Sequence, residues 1–159
     1  MLSRRDWLII AGLVVALLAF SAVHFSGLSD PASPVSPDKV NAPDVTVQLK
    51  GQTVRVAIAD TDSSRARGLG GRENLARDEG MLFVFPESGI YGFWMKDMNF
   101  AIDILWLSSD GRIVYMVQNV SPDTYPQDFT PEEEARYVLE LPAGWASEYN
   151  VEMGDHVRL

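Results

Sequence analysis

Val45-Thr46-Val47-Gln48-Leu49-Lys50-Gly51-Gln52-Thr53-Val54-Arg55-Val56-Ala57-Ile58 decides the fold class. Val45, Val47 and Leu49 alternate with polar residues, and Val54, Val56 and Ile58 do the same. That is the period of a half-buried strand, in which successive side chains point to opposite faces. Lys50-Gly51-Gln52 between the runs reads as a hairpin turn. Outward from this hairpin the period changes. Asp60 to Leu69 reads as a short helix capped by Asp62 or Ser63 and ended by Gly68, Gly70 and Gly71. Met81 to Phe85 is a short, continuously apolar strand. Gly92–Lys96 and Ile102–Leu107 read as further strands. Asp110-Gly111 signals a hairpin into a strand from Arg112 to about Val120.

Towards the C-terminus, Thr130-Pro131-Glu132-Glu133 has the form of a capping box with proline at the first helical position, which predicts a short helix. Tyr137 to Leu141 alternates again, with Tyr137, Leu139 and Leu141 on one face and Val138 and Glu140 on the other. Pro142-Ala143-Gly144-Trp145 opens another short helix, and Gly154-Asp155 turns into a last strand, His156 to Leu159. Seven or eight short strands with brief helical insertions make residues 44–159 a mainly β domain with short helices, a β-rich α+β fold. The expected shape is a compact barrel or sandwich rather than a parallel α/β sheet.

Upstream of this domain, Trp7 to Val23 contains no charged residue. As a helix it spans about 25 Å, slightly short of a hydrocarbon core of about 30 Å. Arg4 and Arg5 precede it, and the next cation is Lys39. The positive-inside rule then puts the N-terminus in the cytoplasm and the domain on the extracytoplasmic side. Residues 1–25 are thus a signal anchor, or a signal peptide cut after the small residues Ala19 and Ser21, in which case the domain is secreted. Ser3-Arg4-Arg5-Asp6-Trp7-Leu8 has the form of a twin-arginine export signal, set against an ordinary basic flank. Residues 26–43, with Pro31, Pro34, Pro37 and Pro43 among small polar residues, form an extended Pro/Ser-rich linker.

Composition narrows the function classes. The 159-residue chain carries a net charge of −9. Charges before residue 43 cancel, so the whole excess sits in the domain, which repels phosphate backbones and makes nucleic acid a poor partner. There is no cysteine, which excludes disulfides, thiolate metal sites and a cysteine nucleophile. Only His24 and His156 are present, so one chain cannot build a multi-histidine metal site, and a Ser–His–Asp triad would have to use His156 near the chain end. No cofactor or metal motif is found. The acids Asp123, Asp128 and Glu132 to Glu134 lack the twelve-residue calcium-loop pattern and read as solvated charge.

Three constellations carry chemistry. Phe93-Trp94-Met95-Lys96-Asp97 with Asp103, Trp106 and Trp145 can line a pocket for a small polar or carbohydrate-like ligand; the plain alternative is core packing with a surface ion pair. Arg65, Arg67, Arg72 and Arg77 surround Gly68, Gly70 and Gly71. Backbone amides of a glycine turn with a nearby guanidinium can hold a carboxylate or phosphate, although no Gly-Lys-Ser/Thr follows; the alternative is a helix surface with a glycine end. Glu140 sits between apolar neighbours on a strand. Once buried, it needs a partner such as Arg72 or Lys96, or a raised pKa. Together with Asp103 it would make an acid pair for hydrolysis if both faced one cleft.

The ordered set Arg67-Gly68-Leu69, Arg72, Gly80-Met81-Leu82-Phe83-Val84-Phe85, Phe93-Trp94-Met95-Lys96, Asp103-Ile104, Asp110-Gly111, Tyr125-Pro126 and Tyr137-Val138-Leu139-Glu140-Leu141-Pro142-Ala143-Gly144 resembles the DUF192 family, also named UPF0127. The resemblance covers residues 44–159 and implies a compact β-rich domain. It lends no catalytic residue, because the family name marks unknown function. Two turns depart from the family pattern. Leu69-Gly70-Gly71-Arg72 lacks a methionine, and Lys96-Asp97-Met98 stands where Lys-Asn-Thr is common. The residues therefore favour a non-catalytic module that binds a small ligand or an envelope protein, with a carboxylate-dependent hydrolase of the cell envelope as the alternative. The expected ligand site comprises Trp94, Lys96 and Asp103, with Arg72 facing an anion. The remaining expected partner is the membrane, through the N-terminal helix.

Overall fold

The computed structural model describes residues 45–159. The expected N-terminal helix and the whole Pro/Ser-rich linker lie outside the described residues. Among the described residues, no helix is long and apolar enough to cross a membrane.

Six strands form one sheet: β1 (Val45–Leu49), β2 (Gln52–Ala59), β3 (Glu79–Gly89), β4 (Ile102–Leu107), β5 (Ile113–Val120) and β6 (Ala135–Pro142). Their order across the sheet is β1-β2-β3-β6-β4-β5. Two short helices interrupt them, α1 (Asp62–Arg67) and α2 (Trp145–Glu148). The domain is thus mainly β with short helices, and its sheet is not closed into a barrel. The hairpin read from the sequence is present, with Val47 opposite Val54 and Leu49 opposite Gln52. Its turn places Lys50 and Gly51 at positive φ, 51° and 76°.

One pairing departs from the hairpin logic. β2 and β3 are parallel, with Val56 opposite Gly80 and Ile58 opposite Leu82. A parallel pair cannot be joined by a tight turn and needs a crossover. Residues 60–78 supply it, and α1 and the glycine turn lie within that crossover. α1 is capped by Thr61, whose hydroxyl accepts from the Ser64 amide at 3.1 Å while Ser64 Oγ accepts from the Thr61 amide at 3.0 Å. The cap therefore sits one residue before Asp62 and two before Ser63. Gly68 ends the helix at φ 52°, where its amide donates to Ser64 O.

Both faces of the sheet are covered. Leu82, Leu105, Leu107, Leu139 and Leu141 pack on one side with Trp145 and Ala146 of α2. Met81, Phe83, Ile104, Trp106 and Val138 pack on the other with Leu69 and Met95. β4 is buried at every residue, and this double cover explains why its sequence is apolar on both faces except at Asp103.

Three expected elements are absent. Gly92–Lys96 is a loop with one isolated β-bridge, Phe93 with Phe129. Asp97, at φ 57°, and the Met95-to-Met98 turn end any strand there. Thr130 does not cap a helix: its hydroxyl donates backwards to Asp128 Oδ2 at 2.9 Å, and the chain enters β6 at Ala135 to pair with β3 and β4. His156–Leu159 is not a strand of the sheet but makes two isolated bridges, Arg112 with His156 and Gln48 with Arg158.

Candidate functional site

A cavity of about 710 Å³ opens on the Phe83–Trp106 side of the sheet. Four segments build it. α1 and the glycine turn give Arg65, Arg67 and Gly68 to Gly71; β3 gives Phe83 and Phe85; the loop after β3 gives Ile90 to Trp94 and Lys96 to Met98; β6 gives Glu140. The crossover puts the first of these segments at the end of β2, and the Phe93–Phe129 bridge fixes the third, with backbone bonds of 3.0 and 2.8 Å.

The wall is aromatic. Phe83 meets Phe93 edge-on at 4.8 Å, Phe93 meets Trp106 edge-on at 5.7 Å, and Phe85 stacks on Tyr91 at 3.6 Å. Such ring pairs are worth about 0.5–1.5 kcal/mol beyond their buried area, so the wall is a rigid surface. Trp106 Nε1 donates to Tyr91 O at 2.7 Å and ties the loop to β4. At the rim Ile90 and Trp94 are half exposed, and Trp94 leans on exposed Tyr125, which precedes the cis proline Pro126.

Glu140 is the buried acid of this cavity. It pairs with Met81 of β3 and Ile104 of β4 and is 5% exposed. Its Oε2 has no hydrogen-bond partner. Burial pushes its pKa from the usual 4.5 up to about 8, against the lowering field of Arg72. Glu140 is therefore a neutral carboxylic acid at neutral pH, able both to donate and to accept a hydrogen bond.

The cations divide into two groups. Arg65 is occupied: it donates to Asp60 O and Val84 O, pairs with Asp62 at 2.5 Å and lies over the Phe85 ring. Arg77 is directed elsewhere, to Ala143 O and Glu148. Arg67 and Lys96 line the cavity with no ion pair among the described residues. Arg72 is not part of the lining, yet its charge reaches Glu140.

The four residues expected to form one site are thus separated. Trp94 and Lys96 line the cavity, and Arg72 is outside its lining but acts on Glu140 through its charge. Asp103 is on the opposite face, because it pairs with Leu141 whereas Glu140 is the neighbouring β6 position. Asp103 is fully buried and accepts three backbone N–H bonds, from Asn119 and Gly144 at Oδ1 (2.8 and 3.1 Å) and from Ala146 at Oδ2 (2.8 Å). It pins the left-handed residues Asn119 and Gly144 and the start of α2. Asp103 and Glu140 therefore share no cleft, and Trp145 belongs with Asp103 rather than with the aromatic wall. The glycine turn differs from expectation as well. The amides of Gly68, Gly70 and Gly71 are spent on Ser64 O, Arg67 O and Asp97 O, so they form no anion-binding nest.

Sequence reading missed the β3 end of the wall. The odd-numbered series Phe83, Phe85, Tyr91 and Phe93 carries the signal, but Pro86 obscured it. The structure accommodates Pro86 in a register shift between Val84 and Gly89.

Comparison with known proteins gives relatives of the same kind. A UPF0127 protein of Thermococcus gammatolerans is 34% identical over 105 residues, covering 63% of each chain. One of Thermococcus sibiricus is 30% identical over 110 residues, covering 66% of each. The chain thus spans just under two thirds of the length of these curated relatives. Among solved structures, a protein of unknown function from Novosphingobium aromaticivorans DSM 12444 superposes with a TM-score of 0.72 at 25% identity, covering 84% of this chain and 99% of that one. A Sinorhizobium meliloti 1021 protein, described as a candidate transcription regulator, gives 0.67 at 35% identity over 71% and 91%. The family described as DUF192, uncharacterized ACR, matches residues 45–159, and the chain belongs to it.

Proposed function

We propose that the domain is a non-catalytic module that binds a small organic molecule in the aromatic cavity. The observation that carries this reading is Glu140: a buried carboxyl with an unpartnered oxygen lines a preformed cavity of about 710 Å³. Burying an unsatisfied polar atom costs about 1–3 kcal/mol, so a fold retains one where something other than the chain satisfies it. The hydrolase alternative has no second carboxylate in this cleft except exposed Asp97, since Asp103 is on the other face. The description given to the Sinorhizobium protein is not adopted for this chain, because the net charge of −9 opposes a nucleic-acid partner. Exposed Ile90, Trp94 and Tyr125 support a second reading, a protein partner seated on the rim. We place the binding outside the cytoplasm, on the strength of Arg4, Arg5 and the apolar run that follows them.

The test is a thermal-shift screen against sugars, organic acids, nucleotides and divalent metals. A specific ligand at a hundred times its dissociation constant stabilises the fold by about 2.7 kcal/mol. Phe85→Ala, which opens the wall, is expected to remove the shift. A shift that survives this change places the ligand elsewhere, and no shift with any compound favours the protein partner.

A further inference from the structure

Resting on that reading, the chemistry of the cavity narrows its occupant. The domain is strongly acidic, yet the lining carries Arg67 and Lys96 without an ion-pair partner among the described residues, against exposed Asp97 and buried Glu140 as its acids. An excess of uncompensated cations in an acidic protein favours an anion and repels a cation. A phosphate brings about −1.5 to −2 charges and three strong acceptor oxygens, which call for several fixed donors. Those donors are missing: the amides of Gly68, Gly70 and Gly71 are taken by backbone carbonyls, and Arg65 is held by Asp60, Val84 and Asp62. A monoanion needs less.

We infer that the occupant is a small monocarboxylate on a flat apolar body, whose carboxylate accepts a hydrogen bond from the Glu140 carboxylic acid in the field of Arg67, Arg72 and Lys96 while the body lies against Phe83, Phe85 and Phe93. A proton shared between two carboxyl oxygens is a strong, charge-assisted hydrogen bond. It also makes recognition proton-dependent, because ionised Glu140 would repel a second carboxylate. The charged and titratable groups around Glu140 are Arg65 and Arg67 of α1, Arg72 after the glycine turn, and Tyr91, Lys96 and Asp97 of the loop. From β3 and β4 its direct neighbours are apolar, Met81 and Ile104.

The experiment titrates the full chain, held in lipid nanodiscs, with phenylacetate, phenylacetamide, phenyl phosphate and phenethylamine. Heat and tryptophan fluorescence are read together, since Trp94 lines the cavity. Phenylacetate is expected to bind at least about tenfold more tightly than the amide near pH 6, and to weaken by about tenfold per pH unit above the Glu140 pKa. Glu140→Gln keeps a donor, so it should retain binding and lose this pH dependence. Lys96→Met, at an exposed position, should weaken phenylacetate several-fold and leave phenylacetamide unchanged. Equal affinity for acid and amide, preference for the phosphate or the amine, or a flat wild-type pH profile overturns the carboxylate assignment while the cavity reading stands. Absence of binding by all four probes overturns the carboxylate assignment and leaves the cavity reading to the broad thermal-shift screen.

Discussion

The two faces of the sheet each bury one acid, and the two acids have opposite surroundings. Asp103 is enclosed by three N–H donors and holds a left-handed turn residue, a glycine and the start of a helix in place. Glu140 is enclosed by Met81, Ile104 and an aromatic wall, with one oxygen unpartnered. A buried acid whose valences the chain satisfies is part of the scaffold. A buried acid left unsatisfied beside a cavity is the feature on which the binding proposal rests. Adjacent strand positions on β6 decide which is which: Leu141 shares a face with Asp103, and Glu140 looks the other way.

The sharpest way to break this contrast is Asp103→Leu. It strands three buried donors at once, and unmet buried groups cost about 1–3 kcal/mol each, so a loss of roughly 4 kcal/mol or more in urea-denaturation stability is expected. Asp103→Asn, which keeps one acceptor oxygen, should cost less. A loss below about 1 kcal/mol for the leucine variant would remove Asp103 from the scaffold.

Glu140 predicts the opposite behaviour. Its folded pKa of about 8 lies above the ordinary 4.5, so the folded state binds the extra proton between those values. Its contribution is fully present below pH 4.5 and is lost as pH rises to about 8, at up to about 1.4 kcal/mol per pH unit. Glu140→Gln should flatten that part of the stability profile and make the protein more stable than wild type near pH 9. A wild-type profile without this slope would show that Glu140 is ionised in the fold.

The smallest effect is expected for an acid at the surface. Asp155 pairs with Lys50 at 2.8 Å and accepts from the Glu152 amide at 2.7 Å; the hydrogen bond from Lys50 leads in holding its carboxyl below the usual range. Screened pairs of this kind are worth about 0–1 kcal/mol, so Asp155→Asn should shift the thermal midpoint only slightly and less still in high salt.

How far the sequence carried this contrast follows from what each signal encodes. Alternation in Val45–Ile58 and Tyr137–Leu141 yielded strands and their faces, and it isolated Glu140 from Leu139 and Leu141 before any register was known. Alternation says nothing of partners. The parallel β2–β3 pair is set by the route of residues 60–78, and the face of Asp103 by its pairing with Leu141. Sequence proximity alone therefore groups Asp103 with Trp94 and Lys96. The helix expected at Thr130 is overridden by a local bond to Asp128 and by the pairing of β6 with β3 and β4, and the strand expected at Gly92 by the bridge of Phe93 to Phe129.

The bridges made by residues 156–158 have a further consequence. β1 and β5 are the two outer strands, and an outer strand offers unpaired N–H and C=O groups to any passing chain. Gln48 exchanges both of its backbone bonds with Arg158 at 2.9 Å, while Gly111 O and the Ile113 amide are taken by Val157 and Asp155 at 2.9 and 2.8 Å. The same short segment thus blunts the sheet at both margins. It closes these positions to strand addition by a second copy, and one segment does so at both margins of the sheet.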